Sequence, residues 1–411
     1  MTAWLCHLGE TLPIDGSERV FRYGHLAESL WAAGHRIVRW APTFEHFRKV
    51  FRARENTRVE VRDRYDLELL HGRGYRRNTS LGRIMFHRRI AWQFSRRATQ
   101  LPRPDVLLAS MPTPEVCQAM IKYGEANGVP VVVDVRDLWP DAFASHLPAS
   151  IQSLAGPLVR LWGRRNEGVF RRAAGIVAIS QTYLDWGLRH AGRALRASDG
   201  VFPIGTCQDV CSAAARAEAA ASLHAVGVDP KSFLCVFAGS FGSHFDLSMV
   251  VEAARQLPDV QFVLCGDGPG LRAVRRMAMG MQNVILPGWT EAPVTGTLMD
   301  WADVGLAPYA SKATMSLPNK PFEYFCAGIP VVSSLTGELA ELLQTHRCGV
   351  SVPPGDSAAL ARAIRALKEN PGVREEMGCR AQRLFEAEFH TDRIYPRFVD
   401  HLVRVAREGT E

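Results

Sequence analysis

Three short segments in the second half of the chain carry residue types suited to holding phosphate and sugar. In Ser316-Leu317-Pro318-Asn319-Lys320-Pro321-Phe322-Glu323 a lysine and a glutamate bracket the start of a helical stretch, which Gly328-Ile329-Pro330 turns into a strand. A carboxylate in the first turn of a helix can accept two hydrogen bonds from vicinal ribose hydroxyls, and a lysine beside a helix N-terminus can neutralise a diphosphate. The glutamate could equally serve only the helix dipole. Phe237-Ala238-Gly239-Ser240-Phe241-Gly242 closes an apolar strand with small residues, which either let backbone N–H groups approach a phosphate or simply make a tight turn. Cys265-Gly266-Asp267-Gly268-Pro269-Gly270 looks like a dinucleotide fingerprint, but its third glycine falls one residue early. Leu271 stands where G-x-G-x-x-G needs glycine.

The elements that must position these residues are short apolar strands alternating with helical periods, the pattern of parallel α/β architecture. In the first half, strands are expected at Trp4–Leu8, Arg36–Ala41, Asp105–Ala109, Val129–Val135 and Gly175–Ile179, with a helix over Arg19–Ala33 ended by Gly34. The stretch Glu45–Leu81 is polar, basic and poorly periodic, and reads as loops and short elements. In the second half the expected strands are Phe233–Ala238, Val260–Cys265, Asn283–Leu286, Val304–Ala307 and Val331–Ser334. Helices are expected at Leu247–Gln256, Pro269–Met279 and Pro321–Ala327. The pattern breaks near Val201–Ser212. The expected organisation is therefore two Rossmann-like α/β domains, 1–203 and 204–394.

Bulk properties agree with two globular domains of roughly 200 residues each. The chain has 411 residues, 47% apolar and 22% charged, and no apolar run nears the roughly 20 residues of a membrane helix. Nine cysteines without a C-x-x-C pair, and no visible signal peptide, read as reduced thiols in a cytoplasmic protein. No metal motif is conspicuous. Charge is uneven: residues 1–200 carry +11 and the remainder −4. The excess peaks over Arg73–Arg97. It reads either as a solvated helix face or as an attraction for an anionic substrate or membrane surface. No nucleic-acid motif accompanies it.

The order and spacing of these segments, with Trp289 and the strand Val304–Ala307 between them, resemble the donor-binding domain of glycosyltransferase family 4. That is a large retaining family of GT-B fold. The resemblance adds that the two domains face across a cleft and that a C-terminal helix 395–411 returns to the first. Ala27–Lys49 looks like its first helix, Gly-His turn and second strand, and Val131–Phe143 resembles the D-x-R-D-x-W-P-D segment of bacterial surface-polysaccharide members. The resemblance implies that Glu323 binds the nucleotide's ribose and that Gly239, Ser240, Phe241 and Gly242 lie against the diphosphate. It places Gly266, Asp267, Gly268 and Trp289 near the base and ribose, with Asn319 and Lys320 also at the donor. Gly16 stands where a glycine loop of the first domain faces the phosphates. Asp134, Arg136 and Asp137 fall on the acceptor side. The sequence departs from the family at Met315, where a first glutamate often contacts the donor sugar, and after Gly242, where an Arg…Lys pair is replaced by Ser243, His244 and Asp246. Lys320 is the candidate for the missing positive charge.

The resemblance further implies sugar transfer from a nucleotide-diphosphate sugar to a saccharide acceptor, lipid-linked, in surface polysaccharide biosynthesis. The protein would be cytoplasmic and peripheral at the inner membrane face. The implied mechanism is front-face displacement with Lys320, Asp137 and Asp134 as catalytic groups, no cofactor and no metal. Two other readings stay open: transfer to a soluble small molecule or natural product, and a degenerate GT-B binding protein without transferase activity. Activity is expected to survive EDTA; its abolition and rescue by magnesium would refute the metal-free reading.

Overall fold

The computed structural model describes residues 1–16, 20–78, 80–141, 163–206 and 212–409. Its backbone contacts divide the chain into two compact units: Met1–Ile204 together with Ile394–Glu411, and Gly205–Arg393.

Unit 1 is built on an eight-stranded sheet. Its strands are β1 (Thr2–Cys6), β2 (Arg36–Pro42), β3 (Thr57–Arg62), β4 (Tyr65–Leu70), β5 (Val106–Met111), β6 (Val131–Val135), β7 (Gly175–Ala178) and β8 (Gly200–Val201), in the order β3-β4-β2-β1-β5-β6-β7-β8. All neighbours are parallel except the β3–β4 hairpin. Side chains alternate across a strand, so β1 feeds two cores. Trp4 and Cys6 pack with helices α2 (Leu81–Ala98) and α3 (Pro114–Asn127). Ala3 and Leu5 pack with α1 (Arg22–Ala32) and with Ile394, Tyr395, Phe398 and Leu402 of the helix Thr391–Glu408.

The hairpin is the short element within Glu45–Leu81. Strand β4 is buried on both faces, although it alternates Tyr65, Leu67 and Leu69 with Asp66 and Glu68. The carboxylates are matched by arginines brought from elsewhere: Arg58 reaches Asp66 at 2.9 Å and Arg97 reaches Glu68 at 3.1 Å. Charged residues inside a buried strand therefore hid its character.

Asp134 also moves from its expected place. It lies in β6 with no exposure and forms a two-point ion pair with the equally buried Arg22 (2.9 and 3.0 Å). Arg22 further donates to the carbonyl of Pro203 at 2.9 Å and lies over the Phe398 ring at 5.0 Å. One guanidinium thus ties α1, β6, the end of β8 and the C-terminal helix. Asp134 is a structural anchor held by Arg22, not an acceptor contact.

Unit 2 holds six parallel strands, β9 (Leu234–Ala238), β10 (Gln261–Cys265), β11 (Val284–Gly288), β12 (Val304–Ala307), β13 (Val331–Ser333) and β14 (Gly349–Ser351), in the order β11-β10-β9-β12-β13-β14. Leu234 and Val236 face one core, Cys235 and Phe237 the other. The strand order reverses between β9 and β12, and in open parallel sheets ligands bind outside the carboxyl ends of strands at such a point. Of the nine cysteines, Cys207 and Cys211 lie outside the described residues; the other seven are unbridged.

Removing one partner of a buried ion pair leaves an uncompensated charge. Asp134→Ala is expected to destabilise unit 1 by about 3–5 kcal/mol, read as a lowered urea midpoint, whereas an unchanged midpoint would contradict the anchoring role of Arg22.

Candidate functional site

At the switch point of unit 2, Lys320 and Glu323 come from one short helix, Asn319–Cys326. Pro321 is tolerated because the first turn of a helix leaves its N–H groups unpaired anyway. Gly328, with φ of +69°, ends the segment in a conformation favouring glycine. Two side chains one turn apart dock the helix. The Tyr324 hydroxyl shares its proton between the carbonyls of Val236 in β9 and Leu306 in β12, 3.1 Å from each. Its ring fills the space over Gly305, where an added Cβ would sit 2.3 Å from the ring. Lys320 is buried; its Nζ donates to the carbonyl of Ala238, the last residue of β9, and lies 4.7 Å from the Phe237 ring centre. A Cβ at 239 would come within 2.6 Å of that ammonium, so a larger residue there would displace the lysine tip.

The glycine loops after β9, β10 and β11 are sewn together by their backbones. Gly239 N–H donates to Cys265 O (2.9 Å), Phe241 N–H to Asp267 O (2.8 Å), Gly270 N–H to Phe241 O (2.9 Å) and Gly266 N–H to Gly288 O (2.7 Å). At Gly266, φ is +144° and a Cβ would lie 1.8 Å from the Gly239 carbonyl oxygen; at Gly268, φ is +148°. Loop-to-loop contact therefore accounts for these glycines. Phe241 is corrected from a donor contact to an anchor. Its ring is buried 6.0 Å from that of Phe237, and its N–H is already used. Ser240 and Asp267 are exposed, Gly242 half-buried, and Trp289 is 70% exposed.

Glu323 is half-buried beside Tyr309, whose hydroxyl pKa burial, and then the Glu323 carboxylate, push far up. Two buried polar atoms here lack a hydrogen-bond partner among the described residues: the Tyr309 hydroxyl and Asn319 Oδ1. Met315 packs against the core instead of offering a carboxylate. The adjacent Ser316 hydroxyl donates to Glu338, the first residue of the helix Glu338–His346. Glu338 was missed in the sequence; Gly337 before a Glu-led helical period was the available signal.

Unit 1 carries a separate polar cluster at its strand ends. Gly16 (φ +65°) is exposed after a one-turn 3-10 helix, Pro13–Asp15, and Asp15 is clamped by Arg52 at 2.6 and 2.7 Å. Asp137 is exposed two residues beyond β6. Arg136 pairs with buried Glu10, which also faces Arg39 at 3.7 Å and accepts the Tyr23 N–H at 2.9 Å. Burial would raise the Glu10 carboxyl pKa, but Arg136, His7 and Arg39 hold it below the ordinary value. His7, just past β1, accepts the Gly9 N–H at Nδ1 (3.1 Å). Its neutral ring therefore carries the proton on Nε2. His7, Glu10 and Arg39 were not legible as a cluster, because their partners lie far apart in the chain.

Residues 232–370 match the family model described as "Glycosyl transferases group 1". The match spans about a third of the chain. It contains the helix with Lys320 and Glu323 and all three glycine loops. WcaL of Escherichia coli (strain K12), a glycosyltransferase assigned to colanic acid biosynthesis, is 30% identical over 133 residues, 30% of this chain and 33% of its own. The chain spans about a third to two-fifths of the length of the first curated relatives it matches. Among solved structures, sucrose-phosphate synthase from Thermosynechococcus elongatus superposes with a TM-score of 0.77 at 16% identity, covering 99% of this chain and all of that one. HepE of Anabaena in complex with UDP-glucose gives 0.68 at 16% identity, covering 98% and 99%. These likenesses establish the fold as GT-B. Among the described residues no group of three His, Cys, Asp or Glu could hold a metal ion.

Burial lowers the pKa of His7 and of His87 in α2 to about 3; Glu10 opposes this at His7, and Glu115 lies 4.0 Å from His87. Both rings stay neutral in the fold but titrate near 6.5 when unfolded. Between these values the unfolded chain binds more protons, so stability falls as pH falls, by up to about 1.4 kcal/mol per pH unit per histidine. The urea midpoint is expected to drop from pH 6.5 to 5 less steeply in His87→Gln than in the wild type. Superposable pH profiles would argue against a neutral His87.

Proposed function

We propose that the protein is a glycosyltransferase moving a sugar from a nucleotide-diphosphate sugar to a lipid-linked saccharide acceptor in surface polysaccharide biosynthesis, at the cytoplasmic face of the membrane. The observation that carries this is the placement of Lys320 and Glu323 on one helix at the switch point of unit 2, beside the Gly239–Gly242 loop. The likeness to WcaL supports the polysaccharide acceptor, and the UDP-glucose in the HepE complex supports a nucleotide-sugar donor.

In this reading Glu323 receives the ribose hydroxyls, and Asn319 Oδ1 and the Tyr309 hydroxyl, which have no hydrogen-bond partner among the described residues, find one in the donor. Lys320 and the amides of Ser240 and Gly242 meet the diphosphate. The acceptor oxygen bonds to the anomeric carbon as the bond from that carbon to the diphosphate oxygen breaks. The electron pair leaves on the nucleoside diphosphate, whose oxygen takes the acceptor proton. No protein base is needed; catalysis rests on positioning and on stabilising the departing charge. Glu338, held by Ser316, stands in for the carboxylate that Met315 replaces. Gly16 faces the donor phosphates from the first domain, and on the acceptor side Asp137 and the Nε2–H of His7 serve as contacts.

The test is thermal stabilisation by UDP, GDP, dTDP, ADP and their sugars, followed by transfer kinetics. One nucleotide class should raise the melting temperature, and Glu323→Ala should remove that shift. Charge-assisted hydrogen bonds are worth about 1.5–3 kcal/mol, so its donor affinity should fall roughly 10- to 100-fold. Lys320→Ala should lower kcat by about 100-fold, and an unchanged kcat and donor KM would remove Lys320 from the mechanism. Absence of both transfer and nucleotide-sugar hydrolysis with every donor would mark a binding protein instead.

A further inference from the structure

Helix α2 has two unlike faces. Phe86, Ile90, Phe94 and Ala98 are buried in the unit 1 core. The opposite stripe, at helical spacing, is Leu81, Met85, Arg88, Arg89, Trp92 and Arg96, all exposed. A helix that meets only water presents polar residues there; here Leu81 is 78% and Met85 68% exposed. The charges are of one sign. Between Glu68 and Asp105 the chain has nine arginines and no carboxylate. Arg97 turns inward to Glu68, but Arg88, Arg89 and Arg96 form no ion pair among the described residues. Instead the guanidinium carbons of Arg89 and Arg96 stand 4.2 and 4.8 Å from the Trp92 ring centre. An aromatic body flanked by cations suits a boundary between apolar and anionic surroundings.

A second exposed apolar group adjoins the start of this helix. Phe47, Val50 and Phe51 project from the loop between β2 and β3. The loop is fastened beneath them. Glu45 caps the Phe47 N–H at 2.9 Å, Arg52 clamps Asp15, and Lys49 donates to Asn78 at 2.6 Å, just ahead of α2. Phe44 bridges to α2 through Phe86, 5.7 Å between ring centres.

We infer that α2 and the Phe47–Phe51 loop form a docking surface for an anionic lipid bilayer. The apolar side chains would enter the headgroup boundary, and Arg88, Arg89 and Arg96 would meet lipid phosphates. The inference deepens the proposed function and rests on it to the extent that a lipid-linked acceptor brings the enzyme to a membrane.

The test is sedimentation of the full-length protein with vesicles of phosphatidylcholine, alone or with about a quarter phosphatidylglycerol. The protein should pellet with the anionic vesicles only, less so as salt rises. Arg88→Gln/Arg89→Gln/Arg96→Gln should lower that partition at least tenfold, at roughly fivefold per arginine, and Leu81→Ser/Met85→Ser should lower it independently. Every substituted side chain is exposed, and an unchanged nucleotide thermal shift confirms folding. A wild type that stays in solution, or variants that pellet like it, would overturn the inference. So would a concentration-dependent dimer broken by the variants without vesicle binding, which would give the surface to a second copy. Vesicle binding as expected, with transfer only to a soluble acceptor, would uphold the docking surface and refute the lipid-linked acceptor.

Discussion

The tyrosine that spans two strands through a missing side chain governs unit 2. Gly305 leaves a hole on β12, the Tyr324 ring fills it, and the hydroxyl closes against carbonyls of both β9 and β12. A buried hydroxyl without a partner is costly, and two carbonyls on adjacent strands satisfy it only where those strands pair. The helix is thereby fixed in position and register. Lys320, one turn earlier, can only land at the end of β9, and Glu323, next to the tyrosine, can only point beside Tyr309. The glycines follow the same closeness: 239 leaves room for the lysine tip, and 266 must spare the carbonyl of 239.

Unit 1 solves a different problem, that of charge inside a parallel sheet. Arg22 with Asp134, and Arg136 with Glu10, are paired where water is excluded or nearly so. Such pairs add little net stability over apolar packing, but breaking either is expensive. Each binds elements far apart in sequence. The one built on Arg22 gathers the first helix, the sixth strand and the C-terminal helix around a single planar group, while Glu10 fastens the loop after β1 to the end of β6.

Legibility in the sequence tracked the range of the forces involved. Strands with unbroken apolar runs, such as Val131–Val135 and Leu234–Ala238, could be read directly, as could the helix stop at Gly328. Strand β4 could not, because Asp66 and Glu68 look solvated until Arg58 and Arg97 are brought to them. Lys320 and Glu323 were visible from local spacing. Asp134 was visible as a charged residue, but its partner is 112 residues away and nothing local names it. Phe241 sits within a glycine loop and turns inward; only packing against Phe237 reveals that. Glu338 joins Ser316 across 22 residues and an intervening strand.

The course of the chain has a bearing on biosynthesis. Gly205–Arg393 is an uninterrupted stretch set into unit 1, and its two ends are stitched where Thr206 pairs with His390. The core shared by β1 and α1 includes Ile394, Tyr395, Phe398, Leu402, Val405 and Ala406, all translated after the second unit. Domains generally fold as units during synthesis, N-terminal first. Here the whole of the second sheet is synthesised before the helix that completes the first core, so the nascent first sheet keeps an apolar face uncovered until that helix is made.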